Sequence, residues 1–242
     1  MRVFDCNRLL GALPSIPTAG SEDETLAQLD HLGIDGACVT PAWMLHGDPR
    51  TSAEFEAASG TSPSSSRLVR VSVVIPGSAA AGWPRHPEML RGELAVRACP
   101  VRHRFDPLGR SALEWWSFLA EAEMPLLLDA GEIGLPLVAR IAGAVPRLRI
   151  VVLAAGYREN ARIGELASEH PNLFFETGTI IGAGAIEWLA GELGAHRMLF
   201  GTGAPEWDDA GPRFQLDRLM LSAGDVELIA GGSWERLVGG RQ

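Results

Sequence analysis

Polar side chains that could carry out chemistry recur where short apolar runs of the sequence end. The residues that we place in a candidate site are Asp5, Asn7, His46, Arg97, His103, Asp129, Tyr157, Glu176 and Trp207. A carboxyl group whose pKa is raised by burial can act as a general acid or base, so Asp129, Glu176 and Asp5 are the candidates for catalysis. The other residues are candidates for substrate binding, and the planar guanidinium of Arg97 suits a carboxylate-bearing ligand.

Each of these side chains also has a structural explanation. Asp129 is either a general base or the ion-pair partner of Arg97, because a buried guanidinium is rarely left without a carboxylate. Asp5 and Asn7 share strand parity, so they either form a polar floor for a substrate or tie the first strand to its neighbours. Glu176 lies in the apolar run LFFETG and needs a hydrogen-bonding partner whatever its role.

Aromatic residues near the run ends also have two explanations each. Tyr157, the only tyrosine, is either a proton donor or a packing residue at the start of a helix. Trp43, Trp83 and Trp207 lie in predicted loops, where they either wall a pocket or simply cover it. Further polar residues near the same ends are Glu132, Glu206 and Asp208.

Eight apolar runs, most of them rich in Val, Leu, Ile or Phe, predict strands that are buried on both faces. They cover residues 2–7, 36–41, 68–76, 93–100, 125–131, 148–156, 172–179 and 197–205. Amphipathic segments predict helices at residues 21–32, 111–123, 133–145, 158–170 and 182–193, with a short one around 86–91. The first helix opens with Ser21 and Glu24, which is the pattern of a capping box.

Eight strands that alternate with helices predict a parallel sheet that closes into a (β/α)₈ TIM barrel. An open, doubly wound α/β sheet is the structural alternative, but no GxGxxG motif follows a strand. We expect one domain over residues 1–242, with a flexible loop at about residues 59–66, SGTSPSSS. Two C-terminal helical segments, residues 212–222 and 225–238, would cover one end of the barrel.

The composition argues against several classes of partner. The net charge is −9, from 21 Lys and Arg against 30 Asp and Glu, so we expect no binding to nucleic acid or to an anionic membrane surface. No apolar run predicts a membrane span, and the first residues have no signal-peptide pattern. Cys6, Cys38 and Cys99 form no CxxC motif and predict reduced thiols in a cytoplasmic protein.

The order of the motifs resembles the amidohydrolase superfamily, in particular the amidohydrolase-related branch that includes aminocarboxymuconate-semialdehyde decarboxylase. Residues 5–11, DCNRLLG, correspond to the opening Asp-x-His-x-His of that branch, and residues 199–205, LFGTGAP, to its Leu-Phe-Gly-Thr-Asp-x-Pro. Asp129 stands at the His that ends strand five, and residues 154–156, AAG, at its His-x-Gly. The resemblance spans nearly the whole chain and implies hydrolysis of a C–N or C–O bond, or decarboxylation.

The positions that correspond to the family's metal ligands carry different residues here. They are Asn7, Leu9, Asp129, Ala154 and Gly203. A catalytic zinc needs His nitrogens and carboxylates at about 2.0–2.2 Å, and of these residues only Asp129 is a good ligand. We therefore expect no cofactor. The alternative is an unusual divalent metal site, such as Zn²⁺ held by Asp5, Asp129, Glu176 and a loop histidine.

The combined expectation is an amidohydrolase-like hydrolase or decarboxylase that acts on a small carboxylate-bearing molecule without the usual metal. Arg97 would hold the substrate, while Asp129 and Glu176 would transfer protons. The alternative is a catalytically inactive barrel that binds a metabolite or a partner protein. A deep polar pocket with Asp129 and Arg97 both open favours the enzyme, and a filled mouth favours the binding protein. The resemblance also implies a homodimer.

Overall fold

The computed structural model describes residues 1–13, 20–50, 63–78 and 80–239. Within these ranges the strands, numbered in chain order, are β1 (Phe4–Leu10), β2 (Gly36–Pro41), β3 (Leu68–Arg70), β4 (Ser72–Val74), β5 (Val96–Ala98), β6 (Leu126–Asp129), β7 (Ile150–Leu153), β8 (Leu173–Glu176) and β9 (Met198–Leu199). Most of their residues are buried, as expected for parallel strands that are covered on both faces. All eight predicted strands are therefore present, the third as the pair β3 and β4.

Backbone hydrogen bonds link these strands into a barrel. The strands pair in the orders β1-β2-β3 and β4-β5-β6-β7-β8-β9, and adjacent strands are parallel. Between β3 and β4, the N–H of Val71 donates to Val39 O at 2.9 Å. Across the other seam, the N–H of Cys6 donates to Phe200 O at 2.9 Å, and Arg8 forms a parallel bridge with Ala204. Because an open sheet lacks bonds between its first and last strands, the predicted (β/α)₈ barrel is confirmed.

Helices alternate with the strands, much as the amphipathic pattern predicts. The longest are Glu22–Leu32, Arg110–Glu121, Leu135–Ala144, Asn160–Glu169 and Ala185–Leu193. The capping box is present, since Ser21 Oγ accepts the N–H of Glu24 at 3.2 Å and the Glu24 carboxylate accepts the N–H of Ser21 at 3.1 Å. The helix predicted at residues 133–145 is wrong in its start: a short helix, Ala130–Ile133, precedes it, and Gly134 at φ 76° separates the two.

The C-terminal segment covers the amino-terminal end of the barrel. It consists of the helix Ala223–Glu227, a π-helical turn at Leu228–Gly232 and the helix Ser233–Leu237. Trp234 is buried and stacks on Phe4, the first residue of β1, with ring centroids 5.9 Å apart. Truncation of a buried aromatic ring of this kind typically costs about 3–5 kcal/mol. This end of the barrel is therefore sealed, and the loops at the opposite end are left to form a site.

The loop predicted at residues 59–66 lies partly outside the described residues, which begin again at residue 63. Residues 63–66 form neither helix nor strand. The N–H groups of Ser64 and Ser65 donate to the Glu22 carboxylate at 3.0 and 2.7 Å, and these bonds lower the pKa of Glu22. The described end of the loop is therefore attached to the start of the first helix.

Two further expectations concern the chain as a whole. None of the helices in the described ranges combines the length and apolar character that crossing a membrane requires. Cys6, Cys38 and Cys99 are all buried free thiols, as predicted.

Candidate active site

A cavity of 880 Å³ opens at the carboxyl ends of strands β5 to β9. The loops that follow these strands form its wall. The charged residues of the wall are Arg102, Asp129, Glu132, Glu206 and Asp208. Its large hydrophobic residues are Tyr157, Ile181 and Trp207, and all three are exposed. A cavity of this size accommodates a small molecule, so the mouth of the barrel is open rather than filled.

Asp129 ends β6 and lines the cavity, with 22% of its side chain exposed. Its Oδ1 caps the following short helix by accepting the N–H of Glu132 at 3.2 Å. Its Oδ2 lies 3.5 Å from Nη2 of Arg97, which is long for a charge-assisted hydrogen bond. The predicted ion pair with Arg97 is therefore present, but it leaves Oδ2 loosely held and open to a ligand.

Arg97 and Asn7 lie beneath the cavity and do not form its wall. Arg97 is 6% exposed and Asn7 is 7% exposed. Nη1 of Arg97 donates to Asn7 Oδ1 at 3.3 Å, while its buried Nε has no partner among the described residues. For an enzyme we expect both Asp129 and Arg97 to be open to the pocket. Asp129 is open, but Arg97 is covered, so only half of this expectation is met.

Glu176 ends β8 and lies behind the cavity wall, 1% exposed. Its Oε2 accepts the N–H of Ala154 at 3.1 Å, and its Oε1 accepts the N–H of Gly178 at 2.6 Å. Both donors line the cavity, and a Cβ atom at residue 178 would overlap Oε1. Burial raises the pKa of Glu176 to about 7; the two N–H bonds oppose this rise, and the charges of Asp5 and Asp129 add to it.

Asp5 is completely buried and joins β1 to the segment that follows β9. Its Oδ1 accepts the N–H groups of Asn7 and Thr202 at 3.0 and 3.1 Å, and its Oδ2 accepts the Thr202 hydroxyl at 2.6 Å. Nη1 of Arg8 lies 3.4 Å from Oδ2. Burial raises the pKa of Asp5, although Arg8 and the hydrogen bonds act against it. Both carboxylate oxygens are occupied by these structural contacts, and Asp5 does not line the cavity.

The two loop histidines lie beside the cavity rather than in its wall. Nδ1 of His46 is 3.5 Å from Nη1 of Arg102, and burial together with this guanidinium lowers the pKa of His46. His103 is half-buried against the backbone of Met44 and Gly47, and burial lowers its pKa. Arg102 itself lines the cavity. Its contact with His46 therefore links this histidine, rather than His103, to the cavity wall.

Arg102 and Glu132 connect two loops of the cavity wall. The N–H of Arg102 donates to Glu132 Oε1 at 2.7 Å. The other oxygen, Oε2, is sheltered from solvent and has no hydrogen-bond partner among the described residues. Burial raises the pKa of Glu132; the Arg102 N–H bond opposes this, and the charge of Asp129 adds to it. Arg102 is exposed, and its guanidinium forms no ion pair with a carboxylate of the described ranges.

Tyr157 and Trp207 form exposed parts of the cavity rim, 50% and 57% accessible to solvent. The Tyr157 hydroxyl accepts a hydrogen bond from Nε of Arg158 at 3.0 Å, and the same guanidinium lies 5.3 Å from the ring centroid. Trp207 packs closely over the backbone of Gly203, where a Cβ atom would lie 2.8 Å from Trp207 Cδ1. Because both side chains line the cavity, both can contact a molecule bound there.

Three of the five positions that the resemblance aligns with metal ligands carry residues that cannot hold a metal ion. Leu9 is buried among apolar side chains, and Ala154 and Gly203 have backbone φ angles of 49° and 71° and no donor atom in their side chains. The ring of Trp207 fills the space that a side chain at residue 203 would need. Across the described part of the chain, no three His, Cys, Asp or Glu side chains are grouped so that they could hold a metal ion.

The structure brings together only some of the predicted site residues. Asp129, Tyr157 and Trp207 line the cavity, whereas Asp5, Asn7, Arg97, Glu176, His46 and His103 lie beneath or beside it. Glu132, Glu206 and Asp208 stand near strand ends in the sequence but are not among the predicted site residues, and neither is Arg102. All four lie in the segments that follow strands β5, β6 or β9, so their place in the mouth loops was the available signal.

Comparison with known proteins supports the assignment of the fold. An uncharacterised TIM-barrel protein from Bordetella bronchiseptica superimposes with a TM-score of 0.76 at 16% identity, covering 100% of this chain and 99% of that one. 5-Carboxyvanillate decarboxylase from Sphingomonas paucimobilis gives 0.67 at 14% identity, covering 98% and 99%. 2,6-Dihydroxybenzoate decarboxylase from Rhizobium gives 0.68 at 14% identity, covering 100% of both chains.

The sequence itself identifies the family. A search of curated proteins gave no match. The family model described as amidohydrolase matches residues 65–239, which is more than half of the chain. The matched range includes the motif at residues 199–205. The resemblance to the amidohydrolase superfamily is therefore confirmed, and the chain belongs to the amidohydrolase family.

Proposed function

We propose that this protein is a hydrolase or decarboxylase that acts on a small carboxylate-bearing molecule without a catalytic divalent metal. The observation that carries the proposal is the cavity at the carboxyl ends of the strands, with Asp129 open to it and Arg102 in the same wall. Barrel enzymes bind their substrates at this end, in the loops that follow the strands.

Arg102 takes the substrate-binding role that the sequence suggests for Arg97. Its guanidinium is exposed in the wall and has no carboxylate partner in the described chain, whereas Arg97 is covered and already bonded to Asn7 and Asp129. A guanidinium binds a carboxylate through paired N–H donors. The names of two structural neighbours, decarboxylases of 5-carboxyvanillate and 2,6-dihydroxybenzoate, describe substrates with such a group.

Asp129 is the general base of this proposal. Of the three predicted catalytic acids, Asp129 is the one that is open to the cavity. Its orientation is fixed because its Oδ1 caps the short helix that follows. Glu176 acts through the wall, because its carboxyl group holds the backbone of Ala154 and Gly178 in place. The metal-free part of the proposal is supported by the lack of donor atoms at residues 9, 154 and 203.

The proposal is tested with a panel of small carboxylated amides, esters and lactones and aromatic carboxylic acids, assayed before and after removal of metals by a chelator. We expect turnover that survives chelation, and a loss of about 100-fold or more in kcat for Asp129→Asn. Glu165→Gln, on an exposed face of the helix Asn160–Glu169, should leave kcat unchanged. Activity that disappears on chelation and returns with Zn²⁺ would overturn the metal-free assignment.

The second candidate is a barrel that binds a metabolite or partner protein without chemistry. The covered guanidinium of Arg97 favours it, because an open Arg97 was the expected sign of an enzyme. Calorimetric titration distinguishes the two functions. Tight binding of a carboxylated compound that is recovered chemically unchanged would support the binding protein, whereas its conversion to product would support the enzyme.

A further inference from the structure

The segment that follows β9 forms one side of the cavity wall. We call residues 203–209 of this segment the rim loop, and it leads into the helix Ala210–Leu216. Glu206, Trp207 and Asp208 of the rim loop line the cavity and are exposed to solvent. Because exposed side chains hold a loop only weakly, the path of the rim loop depends on the contacts at its two ends.

Strand β1 holds the start of the rim loop through its backbone. The N–H of Gly203 donates to Asn7 O at 2.7 Å, and the N–H of Leu9 donates to Ala204 O at 2.8 Å. The N–H of Trp207 donates to Gly203 O at 3.2 Å, so the chain turns back on itself at this point. These bonds fix the place where the loop leaves the barrel.

The end of the rim loop is held by an ion pair with the same strand. Nη2 of Arg8 donates to Asp209 Oδ2 at 3.0 Å and to Gln28 Oε1 at 2.8 Å. The Arg8 side chain is 1% exposed, and that of Asp209 is 22% exposed. The other carboxylate beside Arg8 is that of Asp5, which lies farther away, at 3.4 Å, and is already bonded to Thr202. Loss of Asp209 would therefore leave a buried guanidinium poorly compensated.

Two adjacent acids of the rim loop have different tasks. Asp208 caps the helix Ala210–Leu216, since its Oδ2 accepts the N–H of Gly211 at 2.7 Å. The side chain of Asp209 makes no capping bond among the described residues and contacts Arg8 instead. The helix thus keeps its cap when Asp209 is changed, and a substitution there affects the contact with β1 alone.

We propose that Asp209 is a positioning residue, which holds the rim loop through Arg8 and thereby keeps Trp207 in the cavity wall against the substrate. The ring of Trp207 packs closely over Gly203, at the end of the loop that the backbone holds. The ion pair with Arg8 holds the opposite end, two residues beyond Trp207. This role deepens the proposed function, on which its kinetic consequences rest.

Asp209→Ala frees the end of the rim loop and tests the kinetic part. Trp207 contacts the substrate both before and during the reaction, so its displacement weakens both states alike. For the carboxylated compound that is turned over best, we expect KM to rise about 10-fold while kcat changes by less than about 3-fold. Asp209→Asn keeps an oxygen that can accept the Arg8 N–H, so its KM should lie between those of the wild type and Asp209→Ala.

A matched control and a double substitution separate positioning from general stability. Asp217→Ala removes the carboxylate partner of Arg213 at the other end of the same helix, outside the cavity wall, and should leave KM unchanged. Asp209→Ala added to Trp207→Ala should raise KM by less than about 2-fold over Trp207→Ala alone, because the side chain that it positions is gone. An equal rise in Asp217→Ala, or effects of the two substitutions that simply multiply, would overturn the positioning role.

A measurement without substrate keeps this role separate from the proposed function. The emission of Trp207 is the difference between each protein and its Trp207→Phe counterpart, and acrylamide quenching of that emission reports the exposure of the ring. We expect stronger quenching in Asp209→Ala than in the wild type, weaker strengthening in Asp209→Asn, and no change in Asp217→Ala. Equal quenching in all four proteins would refute the role of Asp209, whatever the activity assays give. A wild-type protein that turns over none of the panel would overturn the proposed function instead, and the quenching result would still decide the role of Asp209.

Discussion

Replacement of Glu176 by Gln should change how the stability of the protein depends on pH. The Glu176 carboxyl is 1% exposed, and its two oxygens accept the N–H groups of Ala154 and Gly178. No cation of the described residues forms an ion pair with it. The substitution keeps the size of the side chain and removes its ability to ionise.

The magnitude follows from the pKa of the buried group. Burial raises the pKa of Glu176 from 4.5 to about 7, so between these values the folded protein binds more protons than the unfolded chain. The free energy of unfolding therefore falls as the pH rises from about 4.5 to about 7. A difference of about 2.5 between the two pKa values, at about 1.4 kcal/mol for each pKa unit, gives a loss of about 3 kcal/mol.

Urea unfolding of wild type and Glu176→Gln at a series of pH values from 4.5 to 8.5 measures this loss. Gln places an NH₂ group opposite one backbone N–H, which costs about 1–3 kcal/mol at every pH and does not alter the slope. The free-energy difference between the two proteins should therefore shift by about 3 kcal/mol in favour of the variant across the range. Parallel curves with a constant offset would refute the raised pKa of Glu176.

Three further substitutions test the packing of the barrel and are read by urea unfolding. Gly178→Ala should lower the free energy of unfolding by about 1–3 kcal/mol, because its Cβ would overlap Glu176 Oε1 and a neighbouring backbone oxygen. Gly191→Ala should raise it by about 0.5–1 kcal/mol, since nothing lies within 4 Å of the added Cβ in its helix. Asp209→Ala should cost about 2 kcal/mol, because it removes the carboxylate 3.0 Å from Nη2 of the buried Arg8.

These substitutions come with internal controls. Gly178→Ala and Gly191→Ala add the same methyl group, so equal effects of the two would contradict the steric argument. For Asp209→Ala, the matched control is Asp30→Ala, which breaks the exposed ion pair with Arg67 at 2.7 Å. That pair should contribute less than about 0.5 kcal/mol. A loss as large for Asp30→Ala as for Asp209→Ala would show that burial of Arg8 does not matter.

The fold could be predicted because each strand of the barrel is marked by a local pattern of apolar residues. Each apolar run is bounded by Gly, Pro or polar residues, and the parallel arrangement follows from the helices between the runs. The ends of elements were less predictable. Gly134 divides a helix that the apolar period alone makes continuous, and Val71 interrupts the third strand although its type favours a strand. At Val71 the N–H bonds to Val39 of β2, a tertiary contact that a single segment does not encode.

The site was harder to predict, because the position of an acid at a strand end does not indicate how deeply its side chain is buried. Asp5, Asp129 and Glu176 look alike in the sequence, as acids beside apolar runs. The structure buries Asp5 and Glu176 under hydrogen bonds to Thr202 and to the loop backbone, and only Asp129 reaches the cavity. Which acid is open depends on the loops that cover it, and loop paths are set by tertiary contacts rather than by residue type.

Two of the positions that the resemblance aligns with metal ligands, Ala154 and Gly203, also shape the cavity. Gly203 has a φ angle of 71°, and its missing side chain leaves the space that the ring of Trp207 occupies in the cavity wall. Ala154 contributes its N–H to Glu176 and its side-chain face to the same wall. Introducing an acid at residue 203 alone would force Trp207 out of place, and it would still meet no histidine at residue 154. The positions that the resemblance aligns with the family's metal ligands are thus taken up by contacts of Trp207 and Glu176, and under the proposed function the chemistry comes from the acids and the guanidinium that line the cavity.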